Sequence, residues 1–414
     1  MPEASLKDWL SRLESRHPVE IELGLDRVSV VACELGILSP HIHTFTIAGT
    51  NGKGSVAAVL TAGLVAAGHH VGTYTSPHLL QFNERIQLNG EPVDDASIVA
   101  AFEAVERARA DISLTYFETA TLAALWIFHQ AGVTQQVLEV GLGGRLDAVN
   151  IVDADISVIT SIGLDHTDWL GDSRELIAVE KAGVARSGRP CIVADEDPPA
   201  TLMSALADCG AIAHLIGRDW RMRDGRLTTV GGSTVHIPRP PGLLESNVGA
   251  ALQAIESSGA SELNPGLMGA VSAVTLPGRL TTVEIDGIQL ILDVAHNTES
   301  VSRLADFLRR HPCERGTHAL FGVMGDKPVR DMIHGCAGIF DDWRVVDLSH
   351  IPRAMSVERL VREIGAEQVK ASGPFSEVWV DVLQRCQPGD RAVVFGSFYT
   401  VSEALGLLAQ QRDV

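Results

Sequence analysis

The 414-residue sequence contains no uninterrupted apolar run of the roughly 18–20 residues that a helix crossing a bilayer needs. Its first twelve residues include Glu3, Lys7, Asp8 and Arg12 and have no apolar h-region, so no signal peptide is expected there. No two of the six cysteines (Cys33, Cys191, Cys209, Cys313, Cys336 and Cys386) stand at C-x-x-C spacing. That scatter leads us to expect neither a zinc site nor a disulfide framework, but reduced thiols in a cytoplasmic protein. A basic excess is also missing. The formal net charge is −19, which disfavours broad binding to nucleic acid or to a membrane surface. It does not disfavour an anionic small molecule, because a local group of Lys, Arg and helix N-termini outweighs a distant acidic surface. There is no low-complexity tract and no short-period repeat. What remains, 45% hydrophobic and 21% charged residues, is the composition of a globular protein. At about 100–200 residues per domain, the length predicts two or three domains.

Residues 44–48, TFTIA, read as a strand. The glycine-rich turn GTNGKGS follows at 49–55, then an apolar, small-residue helix from Val56. Strand, glycine loop and helix in that order begin a phosphate-binding α/β unit. Further strands are expected at 136–140, 156–161 and 190–195, with helices at 119–131, 173–185 and 243–257, the second capped by Ser173. Residues 219–242, rich in Gly and Pro (Pro238 among them), read as a small hairpin and loop. LPGR at 276–279 reads as a linker. Strands at 289–295, 318–324, 343–348 and 391–397 then build a second, smaller α/β unit. The predicted fold class is α/β, with a P-loop-type doubly wound domain over 1–275 and a Rossmann-like domain over 276–414.

A turn rich in glycine lets backbone N–H groups approach an anion, and the next helix adds its positive end. Lys53 can reach β- and γ-phosphates and Ser55 can approach Mg²⁺. The loop departs from G-x-x-x-x-G-K-[ST]: the first glycine would fall at Ile47, and Gly54 is inserted between Lys53 and Ser55. A plain glycine turn is the competing reading, but a lysine between glycines, after a strand and before a helix, favours phosphate.

Glu139 lies within an otherwise apolar strand, and a buried carboxylate must be paired or hold a metal. Ser76, in SPH, and His166, in GLDHTDWLG, follow other strands. Strand C-terminal ends are where α/β sheets bind ligands, so Ser76, Glu139 and His166 could surround one Mg²⁺. Imidazole is an unusual Mg²⁺ ligand, and alone Ser76 reads as a turn residue. Asp165 and Asp168 read as capping or solvated groups. Lys181, beside Glu180 in VEKAGV, reads from its neighbours as a surface ion pair; a depressed pKa and a free amine are the alternative.

The motifs AGTNGKGS, SPH, LTYFE (114–118), LEVGLGGRLDAVN, SIGLDHTDWLG, EKAG, LPGR, DVAHN (293–297) and GSFYTV (396–401) occur in this order. Together the set resembles the bacterial bifunctional dihydrofolate synthase/folylpolyglutamate synthases of the Mur ligase superfamily. The likeness covers nearly the whole chain and is weakest at 195–242 and 362–390. It implies an ATP-dependent ligase that joins L-glutamate to dihydropteroate and to reduced folates through an acyl phosphate. By that resemblance Gly52, Lys53, Gly54 and Ser55 match the phosphate loop, and Ser76, Glu139 and His166 the Mg²⁺ ligands. Lys181 matches a lysine that is carbamylated in relatives and helps hold a second Mg²⁺. Asn247, Arg279 and Asp293 match nucleotide contacts, the last two from the second domain, where sharing one ATP would couple binding to closure. Lys53, Glu139, His166 and Lys181 would carry the chemistry. His296 and Asn297 fit either a nucleotide-site or a structural role.

The pterin pocket is implied at Leu23, Gly24, Leu25 and Asp26, at Thr115, Tyr116, Phe117 and Glu118, and at Leu146, Asp147 and Ala148. Core packing competes for Leu23, Leu25 and Phe117 taken singly. The implied partners are small molecules, with no nucleic acid and no membrane, and a monomer is the family default. Two alternatives stand: a monofunctional folylpolyglutamate synthase or another Mur-type ligase, and a regulatory nucleotide binder without ligase chemistry. The LTYFE and LGLDRV segments favour the bifunctional form over the monofunctional one, no extra N-terminal substrate domain of the kind most other Mur ligases carry is expected, and the intact Glu139, His166 and Lys181 set counts against the regulatory binder.

Overall fold

The computed structural model describes residues 5–17, 21–237 and 240–412; Glu3 and Pro238, singled out above, lie outside them. The chain divides into two compact units, Met1–Val274 and Thr275–Val414.

The strands of the first unit are β1 (His43–Ala48), β2 (Val71–Tyr74), β3 (Ile86–Leu88), β4 (Glu91–Pro92), β5 (Gln135–Glu139), β6 (Ile156–Ile159), β7 (Pro190–Val193) and β8 (Ile212–Leu215). Among the described residues they form one eight-stranded sheet, in the order β4-β3-β2-β5-β1-β6-β7-β8. From β2 to β8 the pairing is parallel, while β3 and β4 add an antiparallel edge. Every residue of β1 after His43 is buried. Burial at both odd and even positions means that both faces are covered, as parallel sheets require. Helices Lys53–Ala66, Glu245–Ser258 and Pro265–Ser272 pack as one group; Leu6–Arg16, Asp26–Leu35, Asp95–Arg109 and Tyr116–Ala131 pack as another. The chain leaves β1 in one direction to β2 and later returns past it to β6. The ends of β5, β1 and β6 therefore form a switch point, where open α/β sheets bind ligands.

Several expected boundaries shift. Glu139 ends β5 instead of lying inside it. The helix expected at 119–131 begins at Tyr116, because Thr115 and Glu118 form a capping box that starts it one turn earlier. The helix expected at 173–185 spans Arg174–Ala182, with Ser173 as its N-cap. The predicted hairpin at 219–242 is a three-stranded antiparallel sheet of β9 (Arg221–Arg223), β10 (Arg226–Thr228) and β11 (Thr234–His236). It is held by the buried Trp220 and Leu227.

The second unit has β12 (Thr281–Ile285), β13 (Ile288–Leu292), β14 (Thr317–Phe321), β15 (Asp342–Val346), β16 (Val369–Gly373) and β17 (Arg391–Phe395), in the order β12-β13-β17-β14-β15-β16. β12 is an antiparallel edge and the other five strands are parallel. Phe321, Phe340, Trp343 and Phe395 form an aromatic cluster in its core, with Phe340 and Phe395 stacked at 5.5 Å. Among the described residues no helix is long and apolar enough to cross a membrane.

Candidate functional site

The phosphate loop runs directly off β1 and is tied to the end of β6. Thr50 donates its N–H to the Ser161 carbonyl at 2.7 Å, and its hydroxyl accepts the Gly163 N–H at 2.9 Å. Thr160 Oγ1 donates to the Asn51 carbonyl at 2.7 Å. These anchors fix the loop before any ligand arrives. Gly52 is the N-cap of helix Lys53–Ala66, with φ +89°. A β-carbon on Gly52 would stand 2.4 Å from Asn247 Nδ2, so only glycine lets the loop close against that buried side chain. Asn247 is carried by helix Glu245–Ser258, which packs along the phosphate-loop helix.

Glu139 ends β5 level with Ile47, two residues before the loop begins. Its carboxylate accepts the Ser76 N–H at 3.2 Å and lies 3.7 Å from where a Gly54 β-carbon would be. Ser76, Glu139 and the phosphate loop are thus brought together. His166 is half-buried, in the left-handed region (φ +51°), on the segment that leaves β6 past the loop's anchors. Asp165 accepts the His166 N–H at 2.9 Å, and helix Thr167–Leu170, with His166 at its N-cap, has no side-chain cap.

Lys181 is not a surface residue. It is 4% exposed and donates to the Gly49 carbonyl at 2.9 Å. Lys53 donates to the same oxygen at 3.1 Å. The surface ion pair read from the neighbouring residues belongs instead to Glu180, whose carboxylate meets Arg145 at 2.8 Å. A helix turns about 100° per residue, so adjacent positions face apart, one to solvent and one to the loop. Burial, reinforced by the charge of Lys53, pushes the Lys181 pKa down to about 7, against the pull of Asp165 and Asp147.

The segments expected to line a pterin pocket also meet. The Gly24 N–H donates to the Leu146 carbonyl at 3.3 Å, joining LGLD to LDA. Leu23 and Leu25 are half-buried, Asp26 is exposed and Ala148 is buried. Phe117 lies against the strand end: a β-carbon on Gly141 would come within 2.5 Å of its ring. Arg85 links this wall to the SPH loop. It donates to His78 Nδ1 at 2.8 Å and lies 5.5 Å from the Tyr116 ring. Burial, with help from Arg85, pushes the His78 pKa down to about 4. Both candidate carboxylates are engaged by the chain itself. Glu118 accepts from the Thr115 N–H at 2.7 Å and from Arg27 at 2.8 Å. Asp147 accepts the Leu142 and Val149 N–H groups at 2.8 and 3.1 Å, and burial still pushes its pKa up to about 6.

In the second unit, Asp293 follows β13 and its two oxygens accept the Leu280 and Ala295 N–H groups, each at 2.9 Å. Burial raises its pKa against the pull of Arg279. Arg279 lies 5.4 Å from the Phe398 ring. Asn297 caps helix Thr298–Arg310, a structural role. Ser397 and Thr400, within GSFYTV, tie the end of β17 to β14 through the Gly322 carbonyl at 2.7 Å. Sequence reasoning missed the anchors Thr160 and Ser161, and also Lys327, a buried cation beyond the end of β14 that lies 3.5 Å from Asp326. Only their place beside strand ends, visible after folding, marks them.

The chain is similar to known proteins over nearly its whole length. Residues 278–398 match the family described as Mur ligase, glutamate ligase domain. The Escherichia coli (strain K12) dihydrofolate synthase/folylpolyglutamate synthase is 38% identical over 412 residues, covering 99% of this chain and 96% of that protein. A structure of E. coli FolC in complex with DHPP and ADP superposes with TM-score 0.94 at 38% identity, over 100% of both chains. A bifunctional folylpolyglutamate synthase/dihydrofolate synthase with Mn, AMPPNP and L-glutamate bound superposes with TM-score 0.91 at 37% identity, over 98% of each chain.

Proposed function

This chain belongs to the bifunctional dihydrofolate synthase/folylpolyglutamate synthase family of Mur ligases, and from that premise we propose which of its residues carry the reaction. It is an ATP-dependent amide-forming ligase that joins L-glutamate to 7,8-dihydropteroate and to the γ-carboxylate of reduced folates. The observation that carries the residue assignment is the convergence of Lys53, Lys181 and Glu139 on the loop Gly49–Gly54.

A carboxylate is a poor electrophile until its oxygen becomes a leaving group. The γ-phosphoryl group of ATP passes to the acceptor carboxylate, the α-amine of glutamate attacks the acyl phosphate, and the tetrahedral adduct expels phosphate. Gly52, Gly54 and Ser55 present backbone N–H groups and a helix N-terminus to the phosphates. Lys53, released from the Gly49 carbonyl, takes the charge that develops on the γ-phosphoryl oxygens. Asn247 braces the loop. The donor set suits a divalent ion: the Glu139 carboxylate is buried at the lip of the loop, beside Ser76 and on the sheet end that leads to His166. Mg²⁺ held there would supply Lewis-acid charge to the phosphate oxygens.

A Lys181 pKa of about 7 leaves much of the amine free at neutral pH, as addition of CO₂ requires, and the resulting carbamate would help hold a second Mg²⁺. Leu23–Asp26, Thr115–Glu118 and Leu146–Ala148 form the pterin wall, with Glu118 and Asp147 shaping it through their backbone contacts. Arg279 and Asp293 are assigned to the nucleotide by resemblance. That all six cysteines are unpaired fits a reducing, cytoplasmic setting, and we take the working unit to be a monomer.

The test is phosphate release from MgATP and L-glutamate with dihydropteroate or tetrahydrofolate supplied separately. Turnover with each is expected. Turnover with tetrahydrofolate alone would overturn the pterin-wall assignment.

A further inference from the structure

The second unit carries a group of titratable side chains that the ligase reaction does not use. His318 is the second residue of β14, Asp390 immediately precedes β17, and Cys386 closes helix Phe375–Arg385. They gather at the N-terminal ends of the strands, while Asp293, His296 and Ser397 follow the C-terminal ends. A ligand atom from each of the three lies within 4.8 Å of the other two. Cys386 and Asp390 are buried, and so is His318 Nε2, which has no hydrogen-bond partner.

The surroundings hold these groups in place. His318 Nδ1 bonds Asp342 at 2.8 Å, which aims Nε2 at Asp390, 3.8 Å away. Asp390 is fixed by the Gly316 and Gln387 N–H groups at 2.9 and 2.7 Å. A carboxylate on one imidazole nitrogen with the other facing a thiol and a second carboxylate is the outer-shell arrangement of metal-bound histidine. Sulfur, imidazole and carboxylate together suit zinc, whose bonds of about 2.0–2.3 Å place tetrahedral ligands roughly 3.3–3.8 Å apart.

We propose that His318, Cys386 and Asp390 bind one zinc-class divalent ion, with Asp342 orienting the imidazole and a water in the fourth position. This revises the expectation drawn from cysteine spacing, which sees only ligands close in sequence. Binding releases the Cys386 thiol proton and any proton on His318 Nε2 to solvent. The ion ties the starts of β14 and β17 to the end of a helix, a structural clip at the end of the second unit's sheet opposite Asp293, His296 and Ser397.

His318 is faced by Asp342, Asp390 and Cys386. Arg344 lies on Asp342, Arg315 on Asp390, and Asp341 accepts the adjacent Thr317 N–H. Asp342 first, then Cys386, push the His318 pKa up to about 10.

Cobalt(II) titration of the chelator-treated full-length chain tests the site, because a thiolate ligand gives a near-ultraviolet charge-transfer band that an oxygen-only ATP-site ion does not. One equivalent is expected to produce the band, and zinc to remove it. Cys386→Ser should abolish it with far-ultraviolet dichroism unchanged, while Cys33→Ser keeps it. Asp342→Asn should keep the band at about 10–100-fold weaker affinity. No band in the unmutated chain overturns the proposal without recourse to any variant, and so does a band that survives Cys386→Ser.

Discussion

The Gly49 carbonyl accepts from both Lys53 and Lys181, and burial, reinforced by the charge of Lys53, makes Lys181 a titrating residue near neutrality. Replacing it with methionine is expected to lower the rate of acceptor-dependent phosphate release by about 100-fold or more, the scale of losing one electrostatic stabiliser of the transition state, here the proposed second Mg²⁺. The same substitution has a stability signature. The folded chain releases the Lys181 proton near pH 7, whereas the unfolded chain keeps it until its ordinary value of 10.5. Unfolding therefore takes up a proton in that window, and stability rises with pH across it. Urea midpoints at pH 7, 8 and 9 should climb more steeply for the unmutated chain than for Lys181→Met. Glu139→Gln removes the charge that the Ser76 N–H and the loop surround; the Mg²⁺ concentration for half-activation should rise at least about tenfold. Lys53 and Ser55 were legible as a candidate phosphate set from local order (strand, glycine loop, helix), and Glu139 as a candidate metal ligand from its charge in an apolar strand. Lys181 was singled out by resemblance alone, since its immediate neighbours suggest a solvent face and its partner Gly49 lies 132 positions earlier.

Element ends do most of the placing. The Thr115–Glu118 capping box starts a helix one turn early and sets Tyr116 and Phe117 in its first turn, on the wall we propose for the pterin. Phe117 fits only because Gly141 presents no side chain, so Gly141→Ala should raise the KM for dihydropteroate by about tenfold or more, comparable to the effect of one misplaced methyl group in a pocket. The KM for ATP, measured in the same assay, should not move. Buried parallel strands such as β1, β5 and β6 were readable from short runs rich in β-branched, aromatic and aliphatic residues. The short ones were not: β9, β10 and β11 have three residues each, too few to show alternation, and they read as a single hairpin. β12 escaped because TTVEI alternates half-buried with exposed residues on a sheet edge, where burial leaves little mark on composition.

At the scale of the whole molecule, length and the LPGR segment predicted two α/β units, and the chain divides at 274/275 into units with separate hydrophobic clusters. Separate cores predict two calorimetric transitions. Mg²⁺ with a non-hydrolysable ATP analogue at about 100 times its Kd should stabilise the first unit by about 2.7 kcal/mol, and zinc ions should raise the other transition. A single transition raised by both would mean that the cores melt as one. The ties from Thr50 and Asn51 to the end of β6 have a further consequence in the currency of amide exchange. A loop hydrogen-bonded into its sheet cannot fray alone, so the amide hydrogens of Thr50 and Gly163 should exchange at the slow rate set by opening of the β1–β6 seam. Copies that have begun to unfold would then hold no nucleotide, and ATP occupancy would report the integrity of the first unit.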